Sequence, residues 1–216
     1  MGVTGICVVD SMIGMVPRNW IIEFYGDENT VNPVLHYVTA YRSRFGRVLV
    51  LLNKDFGGLD PYTVTRLARI LGGDSLRIDV GRGFRFSDTI EMLGEAGGME
   101  GYDSVMLVYP YYHMPRGLKG YSLATRVTGL ARELAVNGHR VFLFNTVSRM
   151  GGWMPEGGHY HHHSVHVIVR VDRLRNGRIG VRLVKHPSRP SGGLASFKLE
   201  GVIGGVAAQR PLTAWL

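Results

Sequence analysis

Trp20-Ile-Ile-Glu-Phe-Tyr-Gly26 is an apolar run that ends at a glycine, and Asp27-Glu-Asn-Thr-Val-Asn-Pro33 follows it directly. The first stretch predicts a β-strand, because it is short, rich in β-branched and aromatic residues, and bounded by a turn residue. In the second stretch, Asn32 is a residue type that caps helices, and Pro33 suits the first helical position. Apolar residues then recur with helical spacing up to about Arg44. The segment therefore predicts a strand, a loop that starts with glycine, and a helix that starts at Pro33.

Strand and helix patterns keep alternating through the middle of the chain. Short apolar runs typical of strands occur at 5–9, 47–52, 75–80, 104–109 and 140–145. Patterns with helical spacing occupy 60–70, 86–94 and 122–137. Continuously apolar strands are typical of a sheet that is covered on both faces. The alternation predicts an α/β fold with a mostly parallel central sheet and helices on both faces.

The pattern changes after Asn145. Residues 164–171 and 178–185 alternate between apolar and polar side chains, and Asn176-Gly177 between them is a strong hairpin signal. We therefore expect the sheet to end in a C-terminal antiparallel hairpin. Residues 1–216 show no internal repeat and no linker, so we expect a single domain.

The charge balance bears on the class of partner. Lysine and arginine total 25 against 17 aspartates and glutamates, which gives a formal net charge of +8. A surplus of this size favours an acidic partner, most often nucleic acid. Colloidal solubility alone is the other interpretation. Cys7 is the only cysteine, which excludes an internal disulfide and a cysteine-based zinc site.

Membrane and secretion signals are absent from the sequence. No apolar stretch approaches the roughly 20 residues of a membrane span. No charged leader precedes a long apolar run at the N-terminus. We therefore expect a cytoplasmic protein with no membrane partner. Gln209 is the only glutamine, and such a scarcity of thermolabile amides favours a thermophile as the source.

Several phrases occur in the order and spacing of one known family. They are Ile22-Glu-Phe-Tyr-Gly26, Asp79-Val-Gly-Arg-Gly-Phe84 with Ser87-Asp88, Phe144-Asn145, and Pro155-Glu-Gly-Gly158 before a strand. With them the chain resembles the RecA/RadA recombinase superfamily, most closely its archaeal RadA-like and RadB-like members, over nearly its whole length. The resemblance implies a RecA-like P-loop NTPase core. An unrelated Rossmann-like fold is the alternative, although no Gly-x-Gly-x-x-Gly at the first turn indicates dinucleotide binding.

In that superfamily the first central strand leads into a phosphate loop, which reads Gly, four residues, and then Gly-Lys-Thr. Its backbone amides wrap the phosphates, its Lys neutralises their charge, and its hydroxyl holds magnesium. Here the loop starts at Gly26, but Val31 stands in place of the second glycine. Asn32 stands in place of the Lys and Pro33 in place of the Thr. We therefore expect no useful nucleotide affinity and no cofactor.

Three further positions to which the resemblance gives catalytic roles also differ. Lys54 falls where an acid activates water, Tyr109 where an Asp is linked to magnesium, and Thr146 where a Gln senses the nucleotide. Asp55 is adjacent to Lys54, so a shift of the alignment by one residue stays open. Together the replacements predict a pseudo-ATPase that is not an enzyme. A nucleotide site built from other residues stays open as well.

Two loops that hold single-stranded DNA in the superfamily correspond to residues 111–121, named the first loop here, and 148–163, named the second loop. Cations for phosphates and aromatic rings for base stacking are the components of a sequence-tolerant single-strand site. Two solvated polar loops are the alternative. The resemblance implies DNA-binding roles for Tyr112, His113, Arg116, Lys119, Arg149, Trp153, His159, His161, His162 and His163.

The histidine run has a second interpretation as a metal site. Histidine is a common zinc ligand, and His159, His161 and His163 share one face if the segment is extended. Glu156 is the only carboxylate close to them in sequence. We expect no physiological metal, and an enzyme that uses these histidines with a metal is the least favoured hypothesis.

The resemblance implies an ATP-independent accessory protein of DNA recombination or repair, similar to recombinase paralogues. It would bind single-stranded DNA and modulate a partner, either a RadA-type recombinase or another protein subunit. The core begins at about Gly5, so we expect neither the N-terminal helical domain nor the Phe-x-x-Ala-type tether of the superfamily's recombinases. A long filament of this chain is therefore not expected. The hypothesis from a different class is a non-catalytic scaffold that docks proteins without binding DNA.

Overall fold

A computed structural model of the protein describes residues 2–149 and 152–198. The strands are β1 (Ile21–Gly26), β2 (Arg47–Leu52), β3 (Ile78–Arg82), β4 (Tyr102–Val108), β5 (Arg140–Thr146), β6 (Val167–Arg173), β7 (Ile179–Lys185) and β8 (Leu194–Phe197). The helices are α1 (Cys7–Ile13), α2 (Glu28–Arg42), α3 (Pro61–Leu71), α4 (Phe86–Gly97), α5 (Leu118–Val136) and α6 (Gly158–Ser164). The strands form one eight-stranded sheet in the order β3-β2-β4-β5-β1-β6-β7-β8.

The sheet is parallel from β3 to β6 and antiparallel beyond β6. β1 pairs in parallel with both β5 and β6, whereas β6 with β7 and β7 with β8 are antiparallel pairs. The hairpin between β6 and β7 turns at Gly177, whose φ of 74° suits glycine. The expected α/β fold, with a mostly parallel sheet and a C-terminal antiparallel hairpin, is confirmed.

Helices cover both faces of the sheet. α1, α2 and α3 pack on the face that receives Ile22 and Phe24 of β1. α4 and α5 pack on the opposite face, which receives Ile21 and Tyr25. Successive strand residues point to opposite faces, so a strand that is covered on both faces is apolar throughout. This explains the unbroken apolar run at 47–52.

The apolar run at 5–9 forms the start of a helix, not the expected strand. Ile6, Val9 and Ile13 are fully buried and recur at helical spacing. The carboxylate of Asp10 accepts hydrogen bonds from the backbone N–H of Thr4 at 2.8 Å and from that of Gly5 at 3.0 Å. These bonds fix the turn that precedes α1.

Helix α2 begins at Glu28, not at Pro33 as the sequence predicted. Asp27 is its N-cap, with a side chain that accepts from the N–H of Asn29 at 2.9 Å. Pro33 therefore lies inside the helix, where it removes one N–H from the hydrogen-bond ladder. The sequence contains two capping residues, Asp27 and Asn32, and the helix uses the earlier one.

Four adjacent parallel strands end at the same edge of the sheet. β1, β2, β4 and β5 end at Gly26, Leu52, Val108 and Thr146. Open α/β sheets bind ligands outside the carboxyl ends of their strands. The candidate site therefore lies at this edge. Within residues 2–149 and 152–198, none of the helices has the length and apolar character that a membrane crossing requires.

Candidate functional site

The turn between β1 and α2 is a single residue long. Only Asp27 separates Gly26, the last residue of β1, from Glu28, the first residue of α2. Residues 28–33, which the resemblance assigned to most of a phosphate loop, form the first turns of the helix. A helical turn, and not an extended loop, therefore occupies the place expected for the phosphates.

Polar side chains near this turn pair with one another. The ammonium of Lys54 forms an ion pair with Glu28. Its Nζ also lies 5.5 Å from the ring centroid of Tyr109. The hydroxyl of Tyr109 donates a hydrogen bond to Oδ1 of Asn32. Lys54 and Asn32 thus have partners within the protein itself.

Tyr109 follows β4 in the left-handed region of backbone space. Its φ is 52°, and it is the one non-glycine residue with a positive φ in the part of the chain that the structure describes. Its side chain is 1% exposed. Burial, with the charges of Glu28 and Asp27, raises the pKa of its phenol. A buried, protonated hydroxyl therefore stands where the resemblance would put a carboxylate.

Gly26, Val31 and Thr146 have roles in packing and in hydrogen bonding. A Cβ on Gly26 would lie 2.1 Å from the backbone oxygen of Val171 in β6, so the pairing of these strands requires glycine. Val31 is fully buried in the core on the α2 face. Thr146 donates its N–H to Oδ1 of Asn145 at 2.9 Å.

The second loop closes on itself at its base. Val147 forms an isolated antiparallel bridge with Pro155. The N–H of Arg149 donates to Oε2 of Glu156 at 2.7 Å. The hydroxyl of Tyr25 on β1 donates to the backbone oxygen of Trp153. These contacts hold the described part of the loop against the end of the sheet.

The two loops meet. Nη2 of Arg149 in the second loop donates to the backbone oxygen of Tyr112 in the first loop at 2.6 Å. A cavity of about 420 Å³ lies between them, lined in part by Arg116, Tyr121, Arg149 and Glu156. The loops follow β4 and β5, which are neighbouring parallel strands, so the sheet order brings them together. Of the sequence-predicted residues, Arg116 of the first loop and Arg149 of the second loop therefore line the same cavity.

The residues assigned to DNA contact differ in exposure. Trp153 is 58% exposed, and Tyr112, His113 and His162 are half-buried. Lys119 lies in the first turn of α5, and its side chain falls outside the described part of the chain. The exposed members of the set, besides Trp153, are Arg116, Arg149, His159 and His163.

The histidine run is helical, not extended. It lies within α6, so the face that His159, His161 and His163 would share in a strand does not form. His161 is 1% exposed, which removes it from the residues that a DNA strand can reach. Among residues 2–149 and 152–198, no group of three or more histidine, cysteine or acidic side chains is placed to hold a metal ion.

His161 belongs to a buried hydrogen-bond network that the sequence did not reveal. Oε1 of Glu23, in the middle of β1, lies 2.9 Å from Nε2 of His161. The same oxygen accepts from Nδ2 of Asn145 at 2.8 Å. Nδ1 of His161 lies 2.9 Å from the hydroxyl of Tyr111, which contacts Oγ1 of Thr128 at 2.9 Å. The one available signal was Glu23 itself, an acidic residue inside an apolar strand.

Lys185 of β7 caps the C-terminal end of α6. Its ammonium donates to the backbone oxygens of His162, His163 and Val165, each at 2.7 Å. Burial lowers the pKa of Lys185, and Glu23 partly offsets this effect. Burial also lowers the pKa of His162, and the charge of Lys185 adds to the effect. His162 is therefore neutral at pH 7 and offers a ring, not a charge.

Comparisons with known proteins bear on the fold. No protein-family model matches the chain, and no curated protein matches its sequence. Its structure is similar to one described as the crystal structure of the RadB recombinase, with a TM-score of 0.72 and 18% sequence identity. The match covers 89% of this chain and 94% of that chain. The fold is therefore that of the RecA/RadA-like recombinases, as the resemblance implied.

Proposed function

We propose that this protein is an ATP-independent accessory factor of DNA recombination or repair that binds single-stranded DNA. The two loops would hold the strand, and the bound complex would modulate a recombinase. The observation that carries the proposal is the joined surface of the first and second loops, which exposes Arg116, Arg149 and Trp153 at the carboxyl edge of a recombinase-like fold. Arginines that neutralise phosphates beside a ring that stacks on bases make a sequence-tolerant site.

Independence from ATP is supported by the turn after β1. The helix begins at Glu28, which leaves no loop to wrap a triphosphate. Lys54 and Asn32 stand at positions of the expected nucleotide site and are bound to Glu28 and Tyr109. We therefore propose a pseudo-ATPase, in which the recombinase fold is kept as a platform for the loops.

Fluorescence anisotropy with labelled single-stranded and duplex DNA across a salt series tests the proposal. We expect tighter binding to the single strand, with an affinity that falls steeply as salt rises, because released counterions drive such binding. At equal ionic strength, ATP-magnesium should change the affinity no more than pyrophosphate-magnesium does. A clear ATP-specific effect would contradict the pseudo-ATPase.

Three variants locate the binding surface. Arg116→Gln should weaken DNA binding. It should also reduce the slope of log affinity against log salt concentration by about one, because one phosphate contact is lost. Trp153→Ala should cost about 1–3 kcal/mol of binding free energy through lost stacking, with little change in that slope. Arg66→Gln is the matched control, because Arg66 is an exposed arginine of α3 and belongs to neither loop. If the wild-type protein binds no DNA at low salt, the docking scaffold becomes the better hypothesis.

A further inference from the structure

A cleft of about 840 Å³ opens at the amino edge of the parallel strands, opposite the two loops. It lies where β4 and β5 begin and where α2 ends. We name it the arginine cleft. Four guanidinium groups and two carboxylates line it, so its side chains carry an excess of two positive charges; they belong to Asp10, Arg18, Arg42, Asp103, Arg140 and Arg189.

Arg42 and Arg18 share one carboxylate. Oδ2 of Asp103 pairs with Arg42, and Oδ1 pairs with Arg18. Burial opposes ionisation of Asp103, but hydrogen bonds from Ser104 and Arg42 and the charges of both arginines lower its pKa. Asp103 is therefore ionised, and both of its oxygens are engaged by these two cations.

Among the described residues, no carboxylate forms an ion pair with Arg140. Its Nη1 donates to the backbone oxygen of Val16 at 3.1 Å. Its Nε is buried and has no hydrogen-bond partner among the described residues. Burial and the positive charges of Arg42 and Arg18 lower the pKa of Arg140 to about 10, although Asp103 acts in the other direction. The guanidinium is thus short of negative charge and of one acceptor.

The remaining charged side chains of the arginine cleft do not supply a partner for Arg140. Asp10 is used by the turn before α1, because its oxygens accept from Thr4 and Gly5. Arg189 donates to the backbone oxygens of Ser11 at 2.7 Å and Met12 at 2.8 Å, and adds a further cation. The excess positive charge therefore has no counter-ion on the described part of the protein.

We propose that the arginine cleft binds a phosphate group, with Arg140 and the partly exposed Arg18 donating to its oxygens. A guanidinium presents planar, paired N–H donors that match phosphate oxygens and keeps its charge at neutral pH. A phosphate monoester carries a charge of about −1.5 to −2 near pH 7, which balances the excess of the cleft. The ligand can be a small phosphate anion, or two neighbouring phosphodiesters of a nucleic-acid strand, each with one negative charge and two free oxygens.

Calorimetric titration of the full chain with inorganic phosphate and pyrophosphate, with sodium chloride matched for ionic strength, tests the proposal. We expect binding to the wild type and about tenfold weaker binding to Arg140→Gln, because one charge-assisted hydrogen bond is lost. Arg18→Gln should weaken binding as well, and its exposed position makes a folding defect unexpected. Arg66→Gln should bind as the wild type does.

A second titration separates the two sources of phosphate. A single-stranded oligonucleotide is added to the loop variant Arg116→Gln/Trp153→Ala, with and without Arg140→Gln. If the loop variant still binds the oligonucleotide and Arg140→Gln removes this binding, the arginine cleft binds a nucleic-acid strand. If only the free anions bind, the cleft binds a small ligand. Because the loops are altered in this variant, the result does not depend on whether they bind DNA. The proposal is overturned if no phosphate species binds, or if Arg140→Gln binds unchanged.

Discussion

Glu23 carries a carboxylate into the middle of β1, where the exposed fraction of its side chain is 0%. Buried charges are costly unless they are paired and hydrogen-bonded. Asn145 and His161 bind Oε1, and Oε2 has no partner among the described residues. Asn145 and His161 are thus the two hydrogen-bond partners of the buried Glu23 side chain among the described residues, and His161 joins the second loop to the first strand.

Replacing His161 by alanine should therefore destabilise the protein. We expect the free energy of unfolding to fall by about 2 kcal/mol, because the buried Glu23 side chain loses a hydrogen-bond partner. Urea denaturation measures the change, and His159→Ala is the control because His159 is exposed on the same helix. Equal stabilities of the two variants would show that the contact with Glu23 contributes little.

His36 links stability to pH. Its Nε2 accepts a hydrogen bond from the N–H of Asp60 at 3.0 Å, which requires the neutral ring. Burial lowers the pKa of His36 from 6.5, although a hydrogen bond with Gly58 and the charge of Asp60 oppose the shift. The unfolded chain then binds a proton more readily than the folded one, so this stability is complete above about pH 6.5 and is lost as pH falls below it.

We therefore expect the free energy of unfolding to decrease between pH 7 and pH 5, and His36→Gln to reduce that decrease. Glutamine keeps an acceptor for Asp60 and removes the titration. The pKa values of His162, His166 and His186 are also lowered, chiefly by burial, so a part of the slope should remain. Denaturant unfolding at each pH measures the free energy of unfolding of the wild type and of His36→Gln. Parallel pH dependences of the two would contradict the assignment to His36.

At the scale of elements, the sequence predicted the existence of most strands and helices better than their starts. Asp27 and Asn32 both fit an N-cap, and the earlier start places Thr30 and Val31 in buried positions of α2. That gain comes from packing, which the local pattern does not contain. The run at 5–9 was ambiguous for a related reason, since a short apolar run has no period that separates a strand from a helix.

Introducing the Lys and the Thr of the phosphate-loop motif should not create a nucleotide site. We expect Asn32→Lys/Pro33→Thr to gain no nucleotide affinity, because residues 28–33 form a helical turn that cannot wrap phosphates. Titration with a fluorescent ATP analogue measures this in an Arg140→Gln background, which weakens any contribution from the arginine cleft. Magnesium-dependent binding of the analogue in the micromolar range would show that the shape of the turn does not exclude a nucleotide.

Across the whole molecule, the fold was predictable and part of the site was not. Continuous apolar strands between helices define the sheet, and neighbouring β4 and β5 bring the two loops together. The hydrogen-bond network around Glu23 joins residues of β1, β5, α5, α6 and the first loop. These residues are far apart in sequence, so their contact is visible only in the folded structure. The arginine cleft was missed for the same reason, because its four arginines are scattered along the sequence.

Lys185 connects the C-terminal hairpin to the second loop. We expect Lys185→Met to speed amide hydrogen exchange in residues 158–165, because three backbone oxygens lose their donor. Arg182→Met is the control, since Arg182 is exposed on the same strand. Hydrogen-exchange mass spectrometry measures the rates, and unchanged protection in Lys185→Met would show that α6 is held by its packing alone.

Strand packing alone requires a glycine at position 26. Its place beside Val171 is closed to any side chain, so the sheet forbids substitution there whether or not a nucleotide is ever bound. Val31 and Asn32 after it are held instead by contacts that use their side chains, in the core and with Tyr109. Strand packing therefore suffices to explain a lone glycine at the end of a first strand. By itself such a glycine is no evidence of a nucleotide site.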